Sequence, residues 1–121
     1  MAKSLDELLR LKGVVASGEF SQNGKLIDFR SKSSELSDEV ANLTAQFAAA
    51  VSQLLGALAS AHSKISGLKW VPEHGWAYSG GHLTIAVGGN RGVFVKTADA
   101  DFNQLFEALI DSRQLAHAGA R

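Results

Sequence analysis

The amino-acid sequence predicts an α+β domain: a five-stranded antiparallel sheet covered by helices, in the order α-β-β-α-β-β-β-α. Three observations carry this prediction. The dipeptide Asn23-Gly24 separates two runs of strand-forming residues. Residues 33–66 carry apolar side chains at steps of three and four, which is typical of a long helix. From Phe102 to Ile110 the apolar residues follow a strong amphipathic helical pattern, and Phe102, Phe106 and Leu109 are expected to pack on the sheet. The long central helix is expected to pack on one face of the sheet.

The first thirty residues predict a short helix followed by a hairpin. Ser4 and Glu7 have the spacing of a capping box, and Gly13 is placed to close the helix. Residues 14–20 and 26–29 are rich in β-branched and aromatic side chains. Because Asn-Gly accepts a positive φ at both central positions, Asn23-Gly24 predicts a type I′ turn between these strands.

The stretch SGGHLTIAVGGNRGVFVKT, residues 79–97, holds five glycines and raises the question of phosphate binding. A phosphate loop leads from a strand into a helix, whose amide groups then point at the anion. Here each glycine pair separates two strand-like runs, so the stretch predicts a three-stranded meander with hairpin turns. The segment GEFSQNGKL resembles a P-loop, but it has one residue too many and places Leu26 where serine or threonine is needed. We therefore predict no nucleotide binding and no cofactor.

Composition excludes several further classes of function. Twelve basic and twelve acidic residues balance, and no basic cluster of the kind that binds nucleic acid is present. The chain has no cysteine, which excludes disulfides, cysteine metal sites and thiol nucleophiles. The four histidines lack metal-ligand spacing, and no serine sits in a nucleophile elbow. These patterns predict a non-enzymatic cytoplasmic protein with no catalytic residue, no metal site and no membrane insertion.

The long helix is predicted to have two covered faces. A stripe from Val40 to Ile65 that includes Leu43 and Phe47 is expected to pack on the sheet. The opposite face carries small residues, and no formally charged residue occurs from Asn42 to His62. A solvent-exposed face would normally carry charges, so this face is expected to be the interface of a symmetric dimer. Its predicted members are Ala45, Ala49, Ser52, Gly56, Ala59, Ser60 and Ser63.

Aromatic residues cluster just before the meander. Trp70, His74 and Trp76 lie close together in sequence, with Tyr78 two residues further on. Tryptophan and tyrosine are frequent both in cores and as anchors of interfaces. The cluster is therefore either part of the core or a contact surface for a partner, and the sequence leaves both readings open.

The order of elements and three segments resemble the roadblock/dynein-light-chain domain over essentially the whole chain. The segments are LDELLRLKGVVASGEFSQNGKLIDF, GLKWVPEHGWAYSGGHLTIAVGGNRGVFV and DADFNQLFEAL, which look like an uncharacterised prokaryotic branch of that superfamily. The resemblance implies a single roadblock-like domain over residues 1–121, related to longin and profilin folds, with a frayed tail at 112–121.

The same resemblance implies a homodimer in which two long helices pack together and two sheets join edge to edge. Trp76 and Tyr78 are the candidates for that strand pairing. Members are generally non-catalytic scaffolds, and some regulate small Ras-like GTPases. Two alternatives stay open: an accessory subunit of a heterodisulfide-reductase-like sulfur-oxidising complex, and a small-ligand sensor.

Overall fold

A computed structural model describes residues 4–67 and 75–110 of the 121-residue chain. In chain order its elements are helix α1 (Leu5–Leu9), strands β1 (Val14–Phe20) and β2 (Leu26–Ser31), helix α2 (Asp38–Ser66), strands β3 (Trp76–Gly80), β4 (Leu83–Gly88) and β5 (Arg91–Lys96), a 3-10 turn (Thr97–Asp99) and helix α3 (Phe102–Leu109). The strands form one antiparallel sheet in the order β2-β1-β5-β4-β3. The predicted fold class and element order are confirmed.

The helix ends follow the local chemistry of the sequence. Ser4 accepts a hydrogen bond from the Glu7 amide, and the Glu7 carboxylate accepts one from the Ser4 amide, which completes the predicted capping box of α1. Ser37 caps the N-terminus of α2, and Gly67 ends it with a φ of 74°. Glycine is favoured there because a left-handed backbone costs it nothing.

The first hairpin forms where the sequence predicts it, but its turn has a different geometry. The Ser21 carbonyl accepts the Gly24 amide at 2.9 Å, and the Ser21 amide donates to the Lys25 carbonyl at 2.8 Å. Gly24 has a φ of 85°, whereas Asn23, like every other non-glycine residue that the structure describes, has no positive φ. The prediction of a type I′ turn is therefore wrong: a longer loop places only its glycine in the left-handed region.

The glycine pairs of the meander lie in strand-to-strand turns, as predicted. Gly81 and Gly89, each with a φ of 61°, directly follow the last residues of β3 and β4. Each turn has two residues between paired strand ends, and glycine comes first. Neither glycine pair leads into a helix, so the geometry that aims helix amides at a phosphate is missing here.

Helices cover both faces of the sheet. Leu5 and Leu8 of α1 join Leu105 and Leu109 of α3 in a core with Val14, Ala86, Val93 and Val95. The opposite face carries Val87 and Phe20, which pack against α2. Of the residues expected to pack α3 on the sheet, Leu109 is buried and Phe106 is half-buried against the core. Phe102 stays 42% exposed and stacks on Phe106 at 6.3 Å between ring centroids, so the expectation that it docks on the sheet is wrong.

The orientation of α2 is the reverse of the predicted one. The small residues Ala41, Ala45, Ala48 and Ala49 are buried, and the last three pack against the sheet. The large apolar residues face away from it. The physical reason is close approach: a Cβ on Gly24 would lie 3.0 Å from the Cα of Gln46. At that separation between helix and hairpin only small side chains fit between the layers.

Helix α2 is also long and apolar enough, by length and composition alone, to cross a membrane, with a mean hydropathy of 1.3 over its best window. This is weak evidence, because helices that pack in soluble proteins pass the same test. The side of α2 away from both the sheet and the large apolar residues carries Asn42, Gln46 and Gln53, all exposed. Carboxamides on a helix surface are costly in lipid, so the absence of membrane insertion stays our prediction.

Candidate interaction surface

The main feature of the surface is a row of large apolar side chains along α2. We call it the outward stripe, and its members are Leu43, Phe47, Leu54, Leu58 and Ile65. Their exposed fractions run from 48% for Leu58 to 86% for Ile65. Soluble proteins scatter single apolar residues over their surface, whereas a row of this length is typical of an interaction site.

A groove runs between the outward stripe and the edge strand β3. Phe47 and Val51 form its helical wall, and Tyr78 and Trp76 form its strand wall, with Ile85 also lining it. Tyr78 is 66% exposed, although it stands directly opposite Ile85 in the β3–β4 pairing. The groove therefore makes the stripe and the strand edge one continuous apolar surface.

A hydrogen bond fixes the strand wall of the groove to the helix. The indole Nε1 of Trp76 donates to the Oγ of Ser52 at 2.9 Å. Trp76 is half-buried and packs against the core beneath α2. A bond between side chains 24 residues apart holds β3 and α2 in a fixed relation, so that the apolar surface has a defined shape before anything binds to it.

The two edges of the sheet differ in chemistry. Strand β3 (WAYSG) has no charged side chain. Strand β2 carries Asp28 and Arg30, and its pairing with β1 skips Ile27, which forms a bulge. Bulges and charges are the devices that prevent a sheet edge from pairing with another strand. Among the described residues, strand β2 is thus a protected edge and β3 is an open one.

Arg30 organises the charges at the protected edge. It donates to the Asp28 carboxylate and lies 3.5 Å from that of Asp6. The hydrogen bond from Arg30 lowers the pKa of Asp28, and the Phe29 amide, which also donates to this carboxylate, lowers it further. Asp28 therefore stays ionised, and β2 keeps its charge, over the ordinary pH range.

Most of the predicted interface residues do not lie on the exposed apolar surface. Ala45, Ala49 and Ala59 are at most 6% exposed within one copy, so they offer little surface to a second copy. Ser52 faces Trp76, and Gly56 and Ser63 are half-buried. Ser60 is exposed, but it lies about 120° around the helix from Leu54.

The aromatic part of the prediction has a mixed outcome. Trp76 belongs mainly to the core and borders the groove, whereas Tyr78 lies on the surface at the open edge. Trp70 and His74, the proposed partner surface, lie outside the described residues. Sequence reasoning found the apolar stripe of α2 but assigned it to the sheet. The alanine face and the leucine face have the same helical period, so no signal in the spacing told them apart.

Residues 4–67 and 75–110 contain no cluster of three histidine or carboxylate side chains able to hold a metal. Within the same residues two polar side chains are buried, and both are bound within the fold. Ser17 donates to the Leu5 carbonyl at 2.8 Å, and the Thr84 hydroxyl lies within 2.8 Å of those of Ser79 and Thr97.

The space between α2 and the sheet is small. A partly open recess of about 30 Å³ lies there and is lined almost wholly by apolar groups, among them Phe29 and Phe94. It has room for about two water molecules. A separate open cleft between the hairpin tips is lined by uncharged residues, and the Gln53 side chain crosses it to donate to the Gln22 carbonyl at 3.2 Å.

The fold is that of solved roadblock domains, and a family model matches most of the chain. Residues 4–111 match the family described as "Uncharacterized conserved protein (DUF2173)", and the chain belongs to that family. No curated protein matches it. The predicted roadblock resemblance is confirmed at the level of fold by solved structures.

Three of these structures show how far the similarity extends. The roadblock/LC7 domain from Streptomyces avermitilis has a TM-score of 0.65 at 14% identity, covering 96% of this chain and 92% of that one. MglB from Myxococcus xanthus has a TM-score of 0.61 at 14% identity, with coverages of 96% and 85%. A structure described as MglB with tetrameric arrangement has a TM-score of 0.61 at 18% identity, with coverages of 94% and 86%. Identities this low establish the fold alone.

Proposed function

We propose that this protein is a non-enzymatic homodimeric scaffold or regulatory subunit that acts through protein–protein contacts. The observation that carries the proposal is the continuous apolar surface formed by the outward stripe and the β3 edge. A single copy leaves these large side chains in water, where each forgoes roughly 1.5–3 kcal/mol of burial free energy. Contact with another protein would recover part of it.

A second copy of the chain is the simplest partner for this surface. A two-fold contact needs only one self-complementary patch, and this patch is uncharged, so it brings no like charges together. The open edge of β3 lies beside the stripe, so pairing of β3 with its copy would extend the sheet while the helices meet. The bulge and the charges of β2 oppose the same pairing at the other edge.

A further protein partner is part of the proposal. Roadblock domains, which this chain resembles, act as scaffolds, and some regulate small Ras-like GTPases. We therefore propose a Ras-like GTPase of the same organism as the first partner to test. The chain itself is expected to bind no nucleotide, since its glycines occupy hairpin turns.

Light scattering at micromolar concentration tests self-association. We expect a mass about twice the 12.8 kDa of the chain. Leu54→Arg should be monomeric, because it would bury an unpaired charge in the contact. Ser60→Arg, also on an exposed part of α2 but off the stripe, should keep the wild-type mass. A wild-type mass near 12.8 kDa would overturn the homodimer.

Calorimetry tests the GTPase partner separately. The GTPase, loaded with GDP or with a non-hydrolysable GTP analogue, is titrated with the wild-type protein, and we expect binding that differs between the two nucleotide states. Titration of the protein alone with ATP or GTP and magnesium should give no heat of binding. Micromolar affinity for free nucleotide would contradict the non-enzymatic scaffold, whereas failure to bind the GTPase would remove only that partner.

A further inference from the structure

We infer that the groove between α2 and β3 binds a single aliphatic chain, that of a free fatty acid, and that the end of this chain enters the recess between α2 and the sheet. The inference goes beyond the proposed function, because it concerns a small ligand and not a protein partner. It rests on a pair of glycines that the backbone does not require, on the apolar space beside them, and on a groove that meets this space.

Two glycines pair with each other in the middle of the sheet. Gly18 of β1 lies opposite Gly92 of β5, on the face that α2 covers, and neither has a positive φ. A Cβ added to Gly18 would lie 3.4 Å from its nearest neighbour, and one added to Gly92 would lie 3.3 Å from its own. In both cases that neighbour is an atom of the sheet and not of α2. Neither the backbone conformation nor the approach of the helix therefore requires glycine at these positions.

The glycines leave space between the sheet and the helix. Glycine inside a strand often marks a place where a ligand comes close to the backbone. The helix residues that face the pair, Ala41, Ala45 and Ala48, are also small, so neither layer fills the gap. The recess of about 30 Å³ that remains has room for about two methylene-sized groups. Because its lining is almost wholly apolar, it favours hydrocarbon over water.

The surface groove meets this recess beneath α2. Thr44 and Ala48 from the helix and Ile85 from the sheet line both spaces. The groove has a volume of about 620 Å³. Sites for small molecules are mostly apolar and typically measure about 300–1,000 Å³. A chain that lies in the groove reaches the recess by passing between Ile85 and the helix.

The charge of the lining selects the occupant. Among the described residues that line the groove or the recess, none is charged. The indole N–H of Trp76 already donates to Ser52, and the Thr44 hydroxyl donates to the Val40 carbonyl. A carboxylate or phosphate would find no cation here, whereas a hydrocarbon chain gains burial and loses no hydrogen bond. The site therefore binds the chain of the fatty acid and leaves its head group in water.

Titration with straight-chain fatty acids, below the concentration at which they form micelles, tests the inference. Calorimetry should show saturable binding of one fatty acid per copy of the protein. Affinity should rise about fourfold with each added methylene group until the chain fills the recess. In isotope-labelled protein, the NMR signals of the Gly18 and Gly92 amides should shift on binding, because the end of the chain lies against them.

Gly18→Val decides whether the chain enters the recess. Valine suits a strand, and its Cβ would lie at an ordinary contact distance while its methyl groups occupy the recess. Chains long enough to fill the recess should bind about tenfold more weakly, since about two buried methylene groups are displaced. Chains about two carbons shorter should bind equally to variant and wild type. Gly80→Val is the matched control and should bind as wild type does, because a Cβ there meets nothing within 4 Å.

Thermal unfolding reports whether Gly18→Val is folded. If it is not, Gly18→Ala repeats the comparison and should weaken the binding of long chains about fourfold, the effect of one methyl group. Equal binding of long chains by wild type and by the folded Gly18 variant would mean that the fatty acid lies on the outward stripe. That result overturns the inference.

Leu54→Arg separates the ligand from the homodimer, because Leu54 does not line the groove. Binding by this variant alone would mean that a second copy covers the groove, and the Gly18 comparison is then made in the Leu54→Arg background. Binding by neither protein overturns the inference and leaves the homodimer standing. A monomeric wild type that binds fatty acids with the expected dependence on Gly18 would do the reverse.

Discussion

At the scale of single residues, two glycines at equivalent strand ends have opposite surroundings. A Cβ on Gly88, the last residue of β4, would lie 2.9 Å from Leu109 and Ile110 of the core beneath α3. A Cβ on Gly80, the last residue of β3, would meet nothing within 4 Å. Neither has a positive φ, so space alone distinguishes them. We expect Gly88→Ala to destabilise the protein by about 1–3 kcal/mol, the cost of overpacking.

Urea unfolding of the two variants checks this expectation at one protein concentration. Gly80→Ala is the matched control and should stay within about 0.5 kcal/mol of wild type, as surface substitutions do. Equal effects of the two substitutions would show that α3 does not pack tightly over the end of β4.

Single residues also show which local conformations could be predicted from the sequence and which could not. The cap at Ser4 and the helix stop at Gly67 could be predicted because their chemistry is local. The backbone conformation of Asn23 could not be predicted, since its φ depends on the loop length that tertiary packing selects. The Ala and Leu faces of α2 have the same helical period, so the pattern gives their angle to each other but not which one meets the sheet.

At the scale of elements, α3 offers a graded series of side chains along one helix. Leu105 is 1% exposed, Phe106 is half-buried and Phe102 is 42% exposed. We expect Leu105→Ala to cost about 2–5 kcal/mol, Phe106→Ala about 1–3 and Phe102→Ala about 1 or less, because the loss scales with the burial removed. Thermal or denaturant unfolding measures the series. A loss for Phe102→Ala as large as that for Leu105→Ala would mean that Phe102 is covered by something further.

Elements also show why the fold was easier to predict than the candidate site. Each strand and helix has its own period of apolar residues in the sequence. The meander around residues 79–97 could be predicted from the alternation of its apolar residues and from its glycines. The interaction surface instead depends on a distance, the close approach of α2 to the hairpin at Gly24. Neither hydropathy nor spacing gives that distance, so the sequence showed the stripe but not that it is exposed.

At the scale of the whole molecule, the exposed stripe couples stability to concentration. If two copies cover the stripe and unfold together, unfolding releases two chains, and mass action stabilises the folded dimer as the protein concentration rises. The enthalpy of unfolding is about 0.7 kcal/mol per residue, or about 170 kcal/mol for a dimer of this length. A tenfold rise in concentration should therefore raise Tm by about 3 °C.

Calorimetric scans from low to high micromolar concentration measure this shift, and the stripe variants decide its origin. Leu54→Arg should unfold at a Tm independent of concentration, because a monomer gains nothing from mass action. Ser60→Arg should keep the wild-type slope, since its side chain lies off the stripe. If wild type and Leu54→Arg gave the same flat profile, folding of this chain would not depend on a second copy. If all three gave the same slope, association would lie on a surface other than α2, with β3 the next to be tested.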